Sequence, residues 1–474
     1  MTTAALLLSV PARSETLREA LAAAYESNPT ITGARSGQRA TDEAVPIARA
    51  DGLPSLGASI SYTEQVLQAS NSFFSPDRIL STQAQLSVPL YQGGAVRNAV
   101  RAAQTRVESG QADLRGTESS IFSQVVGAYM DVLRDSAVVA FNRNNVEVLA
   151  VNLQATRDRF DIGDLTRTDV AQSEARLASA RSQLQATEAR LIGSRESYIR
   201  LVGHAPTDLS SPPALPGLPD SVETAVETAI ADNPDLEAAQ LDAEASGFDV
   251  RSVRGARLPH ISLTTSAGHS DFLGSVRAPA APSTTSASSS VTMTIPLFQG
   301  GRPAARVRQA QARQSQSMER VIGMERNVIA QTRSAYASWL AAQAVANSSQ
   351  IAVDANRLSL EGVRAENSVG TRTILDILNA EQEYLNAQVQ LVSARRDVYV
   401  AGFSLLAAMG RGEAKDLGLD GGALYDPETN YARVRSRIWD WDQDPAPQPV
   451  ATRTRGTAPQ TADVSENQNP ELTP

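Results

Sequence analysis

Between Ala95 and Phe160 the chain contains no proline, and apolar side chains return every seven residues. Val100, Val107, Leu114 and Ile121 form one series. Val125, Val132, Val139, Val146, Leu153 and Phe160 continue it after one change of phase. A seven-residue apolar period keeps one seam of a helix against a partner. The spacing therefore predicts a coiled-coil-like helix over about 95–160, on the order of 100 Å long at about 1.5 Å per residue. A second seam, richer in Ala and Gln, runs from Ala304 to about Asn367 through Val307, Val321, Val328, Val353 and Leu360. Shorter return helices are predicted over about 165–202 and 372–409, and lead-in helices over about 30–52 and 235–257. One return helix and one lead-in helix together match one long helix, so they can lie end to end beside it.

Elsewhere the period changes to two. Leu56, Ala58, Ile60 and Tyr62 alternate with Gly57, Ser59, Ser61 and Thr63; Ala84, Leu86, Val88 and Leu90 alternate with Gln83, Gln85, Ser87 and Pro89. Later in the chain Ile261, Leu263, Thr265 and Ala267 oppose Ser262, Thr264, Ser266 and Gly268. Val291, Met293, Ile295 and Leu297 oppose Ser290, Thr292, Thr294 and Pro296. This alternation predicts strands over about 54–65, 82–90, 259–268 and 288–297. One face is apolar. The other carries hydroxyls and amides with almost no charge, as a transmembrane barrel with lipid outside and water inside requires. The linking segments are long and mostly polar. Four strands cannot close a barrel, for which about eight is the minimum. A barrel made from this chain must be oligomeric, with twelve strands in a trimer or eight in a dimer.

The two patterns recur in one order. "VPLYQGG" (Val88–Gly94) returns as "IPLFQGG" (Ile295–Gly301), Asn28-Pro29 as Asn233-Pro234, Leu53-Pro54 as Leu258-Pro259, and Gly163…Asp169 as Gly370…Asp376. Such a series marks an internal duplication that builds one pseudo-symmetric object. The first copy covers 15–204 and the second 221–411, joined by a Pro-rich connector at 205–220. The extension at 412–474 turns rich in Pro, Thr, Gln and Asn after Pro427, and is expected to be largely disordered. Pro89 and Pro296 stand at strand–helix junctions. The pairs Gly93-Gly94 and Gly300-Gly301 let the chain swing from strand to helix direction without steric penalty. Each copy needs the same hinge.

Composition narrows the chemistry. The chain of 474 residues has 42% hydrophobic and only 5% aromatic residues, and a net charge of −9. An acidic chain does not suit nucleic acid. No cysteine is present, which removes thiol catalysis, Cys-ligated zinc and disulfides. His204, His260 and His269 lack metal-ligand spacing. No Gly-rich phosphate loop, Ser/His/Asp grouping or glycosidase-like pair of acids occurs, so neither an enzyme nor a cofactor is expected. The apolar run Ala4–Val10 before Pro11-Ala12 reads as a signal-peptide remnant over 1–12. No run of 18 apolar residues predicts a transmembrane helix.

The duplicated plan, the paired "PL[YF]QGG" hinges and "SVGTRTILDILNAEQEYLNAQ" (Ser368–Gln388) resemble the TolC family of outer-membrane channel-tunnels over roughly 15–430. The resemblance implies an α+β membrane protein: a homotrimer whose 12-stranded β-barrel, four strands per chain, continues into a long α-helical periplasmic barrel. It implies the outer membrane of a Gram-negative bacterium, with lipid around the barrel. It also implies docking to a periplasmic adaptor (membrane fusion protein) and, through it, to an inner-membrane ABC exporter or efflux pump. The lack of a lipidation Cys fits the type I secretion branch; the alternatives are the outer-membrane part of a tripartite drug-efflux pump and, more remotely, a soluble coiled-coil scaffold.

By motif, Thr168, Asp169 and Arg372 match the family's gate links, and Asp376 the first of two pore-lining acids. Asn379 stands where the second acid is expected, and Asn367 where a gate Tyr is common, so the constriction is expected to carry three fewer charges per trimer. Gly163, Leu165, Thr166, Val369, Gly370 and Thr371 form the hairpin tips that the resemblance assigns to adaptor docking.

Overall fold

The computed structural model describes residues 14–67, 76–273, 281–419 and 424–464. The expected signal segment lies outside the described residues, as do the central parts of both strand-to-strand loops (68–75 and 274–280).

Each copy contributes the same series of elements. The first holds α1 (Leu17–Ser27), α2 (Pro29–Asp42), α3 (Ala44–Ala50), β1 (Ser55–Glu64), β2 (Arg78–Gln92), α4 (Ala95–Asp161) and α5 (Arg167–Val202). The second holds α6 (Val222–Asp232), α7 (Pro234–Gly255), β3 (His260–Leu273), β4 (Ser283–Thr294), α8 (Arg302–Ser368) and α9 (Ile374–Ala408). The two long helices have the same length, 67 residues. α8 begins two residues before the expected start, because Pro303 sits in its first turn. There its missing N–H costs nothing.

The repeated Asn-Pro pairs fasten each copy at its middle. Asn28 Oδ1 caps α2 by accepting from Thr30 N at 2.9 Å, while its Nδ2 donates to Leu201 O at 2.8 Å. Asn233 Oδ1 accepts from Asp235 N and Leu236 N, and its Nδ2 donates to Ala408 O at 3.0 Å. One side chain thus starts the lead-in helix and ties it to the end of the return helix. The first lead-in path is two helices rather than the one expected: Pro46 cannot donate back to Asp42, so α2 stops and α3 restarts. α7 has no such proline and runs unbroken for 22 residues.

The sheet is antiparallel in the order β1-β2-β3-β4, with register pairs Ile60↔Thr82, Ala84↔Ala267 and Leu263↔Val291. β1 and β4 are the edge strands, each paired on one side only among the described residues. Three strands reach further from the helices than expected, while β1 keeps its expected range: β2 starts at Arg78, β3 ends at Leu273 and β4 starts at Ser283. At the other end β4 stops at Thr294, so Ile295 and Leu297 lie beyond the strand they were expected to join. Pro296, which cannot donate to a ladder, follows the break. Pro89 remains within β2 beside an irregularity in register between Pro89 and Tyr91. Across the register Leu56, Leu86, Val88, Leu263 and Val291 share one face. Ser59, Gln83, Gln85, Ser266 and Ser288 share the other, where Ser81–Ser270 and Ser266–Ser288 hydroxyl pairs span neighbouring strands.

The main core lies around the middle of α4, where Phe122, Tyr129, Tyr198 and Phe403 are fully buried between α1, α4, α5 and α9. Tyr129 donates to Glu15 O and Ser210 O, and Tyr198 to Glu15 Oε1 at 2.6 Å, which pins the chain entering α1. Within the described residues the extension departs from the expected disorder. α10 (Pro427–Val434) packs on α2, Asn430 donates to Asp42 at 2.6 Å, and Arg195 and Arg143 bind the backbone carbonyls of Thr461, Ala462 and Asp463. Such anchors hold a polar segment without a core of its own. Trp439 and Trp441 are exposed.

Candidate functional site: the hairpin tips

α4 and α5 form one helical hairpin, α8 and α9 a second. Their tips are built alike. Each long helix ends in a left-handed glycine, Gly163 (φ 83°) or Gly370 (φ 84°), a conformation that suits a residue without Cβ. The turn is closed by backbone bonds: Asp164 N to Arg159 O at 2.9 Å in the first tip, and Thr371 N to Glu366 O at 3.0 Å in the second. A charged pair staples each turn with opposite polarity. Arg159 on α4 holds the loop residue Asp164, and Glu366 on α8 holds the loop residue Arg372 at 2.7 Å.

Each return helix then starts in a capping box. Asp169 Oδ2 accepts from Thr166 N at 2.8 Å and from its Oγ1 at 2.6 Å; Asp376 Oδ2 accepts from Thr373 N at 2.9 Å and from its Oγ1 at 2.7 Å. The Thr side-chain and backbone donors hold both carboxyls below the usual carboxylate range, so both are ionised at neutral pH. The Glu366 carboxylate raises Arg372.

The gate residues named from sequence are therefore brought to the tips, but not joined to one another in the protomer. Arg372 pairs with Glu366 rather than with Thr168 or Asp169, and Asp169 is engaged by its own helix cap. Sequence reasoning missed Glu366. The signal was available: aligned on the repeat, Glu366 falls opposite Arg159. Asn367, in place of a tyrosine, donates to Arg372 O at 2.7 Å and stiffens the loop. Asn379 does not stand free. Its Oδ1 accepts from Arg176 Nη2 of α5 at 2.7 Å, a partner the sequence did not suggest. Val369 is 75% exposed, and Gly163, Thr166, Gly370 and Thr371 are exposed with it, while Leu165 is half-buried.

At the opposite end the hinge glycines all adopt positive φ: Gly93 60°, Gly94 73°, Gly300 59° and Gly301 79°. Gly94 and Gly301 are the N-caps of the two long helices. Among the described residues no group of three metal-ligating side chains occurs. The tips offer fixed charges and hydrogen bonds.

The chain matches the family model described as outer membrane efflux protein twice, over residues 20–204 and 225–411. It is 34% identical over 433 residues to the outer membrane efflux protein BepC of Brucella suis, covering 91% of this chain and 93% of that protein. It is 25% identical over 419 residues to the outer membrane protein TolC of Escherichia coli, covering 85% and 84%. The fold is similar to the crystal structure of the outer membrane protein VceC of Vibrio cholerae, with a TM-score of 0.71 at 22% identity over 83% of this chain and 96% of that one.

Proposed function

The chain belongs to the outer membrane efflux protein family, a family of outer-membrane channels rather than enzymes, and we propose that it is the trimeric duct of a type I protein secretion system. In this reading three copies close a 12-stranded barrel, edge β1 of one against edge β4 of the next. An adaptor grips the hairpin tips, and an inner-membrane ABC exporter feeds unfolded polypeptide through the tunnel. The observation that carries the reading is a four-stranded sheet, open at both edges, joined by glycine hinges to two 67-residue helices. Strands of 10 to 15 residues are long enough to cross an outer membrane when tilted. Helices on the order of 100 Å reach deep into the periplasm.

At the periplasmic mouth the proposed gate is made of Thr168, Asp169 and Arg372, with Asp376 facing the axis. Arg372 holds Glu366 within its own tip, so a link to a neighbouring hairpin would add to that bond or exchange with it. Three ionised Asp376 side chains around one axis favour cations over anions. The test is single-channel conductance of the purified full-length protein in planar bilayers. A small, cation-selective conductance is expected, and absence of conductance from inserted trimer refutes the reading.

A second reading, the outer-membrane part of a drug-efflux pump, is favoured by the similarity to a protein named for efflux. Deleting the gene separates the two. Loss of a secreted protein from the medium supports secretion, and a gain in drug sensitivity with unchanged secretion supports efflux.

A further inference from the structure

The C-terminal extension climbs toward the sheet and comes back. Tyr425 N donates to Tyr25 Oη on α1 at 2.9 Å, Asn430 of α10 reaches Asp42 at the end of α2, and Tyr431 packs on Val45, Ala103 and Val107. Arg435 O then accepts from Arg49 Nη1 at 3.3 Å. Two residues beyond Arg49, Asp51 O accepts from Gln92, the last residue of β2, at 2.9 Å. The end of α10 thus lies against the turn on which the sheet stands. Afterwards the chain descends: Thr452 lies against Gly203 at the end of α5, and Arg195 holds the carbonyls of Thr461 and Asp463.

The top of this excursion is the loop from Arg437 to Asp444, and its foot is stapled. Asp444 accepts from Arg433 at 2.6 and 2.8 Å and from Arg437 at 3.1 Å. Arg437 Nε also meets Asp442 at 3.2 Å, and Asp442 N donates to Trp439 O at 3.1 Å. The hydrogen bonds from Arg433 hold the Asp444 carboxyl well below the usual carboxylate range, so the staple stays charged at neutral pH. The foot of the loop therefore carries its ion pairs, and the crown carries apolar side chains. Ile438, Trp439 and Trp441 are 69%, 73% and 81% exposed. Two of the chain's three tryptophans sit on this one crown.

We propose that this crown is a membrane anchor: Ile438, Trp439 and Trp441 of each protomer rest in the phospholipid headgroup layer on the periplasmic side of the outer membrane. The inference uses the outer-membrane location and is independent of what the channel carries. Trp439 is four residues beyond Arg435, a reach of at most about 14 Å from the turn under the sheet. The apolar face of the sheet begins just above the same turn, at Leu56. Tryptophan suits an interface, because its ring is apolar and its Nε1 donates to a headgroup. Asp440 stands between the two rings, and its charge keeps the loop out of the hydrocarbon core. Among the described residues Arg435 pairs with no carboxylate. Its guanidinium lies 5.8 Å over the Tyr431 ring, placed to meet a lipid phosphate. Three such crowns around the barrel would brace the helical body against the membrane plane, close to the glycine hinges where strands turn into helices.

The test uses the full-length protein carrying Trp339→Phe, which leaves Trp439 and Trp441 as its tryptophans. It is reconstituted in vesicles of phosphatidylethanolamine and phosphatidylglycerol whose acyl chains carry bromine, either near the headgroup or near the methyl end. Insertion is checked by flotation with the vesicles and by heat-resistant trimer on gels. Tryptophan fluorescence should fall by about half or more with bromine near the headgroup, and much less with bromine near the methyl end. Aqueous iodide should quench it weakly. If Trp339→Phe assembles poorly, the difference between the parent and Trp439→Phe/Trp441→Phe gives the same reading, because Trp339 contributes equally to both. Rings quenched by iodide and by neither lipid would stand in water. Rings reached by no quencher would be covered by protein, such as the next copy in the ring. Either result overturns the anchor and leaves the channel reading standing, and so does quenching by the methyl-end bromine alone. Protein that does not float with the vesicles would overturn the anchor and the barrel together.

Discussion

Replacing Gly93 by alanine probes the hinge most directly. An added Cβ would stand 2.5 Å from Gly255 O and 2.8 Å from Leu258 Cβ, at a residue whose φ is 60°. The left-handed conformation costs a non-glycine residue roughly 1–2 kcal/mol. Forcing the end of α7 away from β2 adds about 1–3 kcal/mol of overpacking. Gly94 provides the control. Its φ is 73°, but the nearest atom to an added Cβ is Asn98 Nδ2 at 3.7 Å, so only the conformational term applies. Gly300 and Gly301 have open space in the protomer, with nothing within 4 Å. The duplication says what should fill it. Leu53 N donates to Ala50 O at 3.0 Å, in the same turn that Leu258 N makes with Gly255 O at 2.9 Å. In a closed ring the Ala50–Leu53 turn of the next protomer should cover Gly300 as Gly255–Leu258 covers Gly93. Gly93→Ala is therefore expected to destabilise the protomer through both terms, whereas Gly300→Ala, with φ 59°, carries only the conformational term within the protomer, as Gly94→Ala does, and in addition weakens ring closure. The assay is the fraction of heat-resistant trimer against temperature on gels, with helix content followed by circular dichroism. Gly93→Ala should dissociate at least about tenfold faster than Gly94→Ala, the factor that 1.4 kcal/mol sets. Equal behaviour of the two would refute the close-packing argument. Trimer from Gly300→Ala as stable as that from Gly94→Ala would refute the proposed covering turn.

Arg372→Ser should remove the staple to Glu366 and loosen the second tip, raising single-channel conductance; an unchanged value would argue against any latch at Arg372. Ile60→Arg or Leu263→Arg should block assembly in the membrane, since a charge on the lipid face costs roughly 2–4 kcal/mol near the midplane; normal trimer levels would show that the two sheet faces are wrongly assigned. Glu118 is pushed up to about 7, chiefly by burial, with Arg35 opposing at 3.7 Å and Glu413 adding to the rise. Its folded-state pKa exceeds the unfolded one, so the native state binds the extra proton and stability should fall as pH rises from about 4.5 to 7, by roughly 3 kcal/mol. Thermal melts between pH 5 and 8 should show this slope in the parent and a shallower one in Glu118→Gln; parallel slopes would refute it.

Much of the architecture was legible in the sequence because long-period patterns are hard to produce without a cause. The heptads at Val100–Ile121 and Val125–Phe160 marked α4 to within a residue of its end at Asp161. Alternation gave all four strands, although the outer ends of β2, β3 and β4 were missed. At the start of β2 the residues Arg78, Ile79 and Leu80 break the apolar–polar alternation, and only ladder pairing holds them in the strand. The split at Pro46 was readable from proline chemistry. The order of the extension's described residues was not, because its anchors, Arg143, Arg195 and Asp42, lie hundreds of residues away and look like ordinary surface charges.

The tips divide in the same way. Gly163, Gly370 and the Thr-x-x-Asp capping boxes at Thr166 and Thr373 are local and follow from neighbouring residues alone, as do the duplication, the hinges and the need for more than one copy to close a barrel. The turn staple Arg372–Glu366 was also local, and only the comparison of the repeats would have revealed it. Which distant side chains meet came from the packing of whole elements: Arg176 with Asn379 across two hairpins, Leu378 among the leucines of α4 and α5, and Gly93 under Gly255 while Gly300 stays uncovered. Residues 203 positions apart leave no periodic trace in a sequence. Their pairing depends on the crossing and stagger of two packed hairpins, which are settled only when both long helices lie side by side.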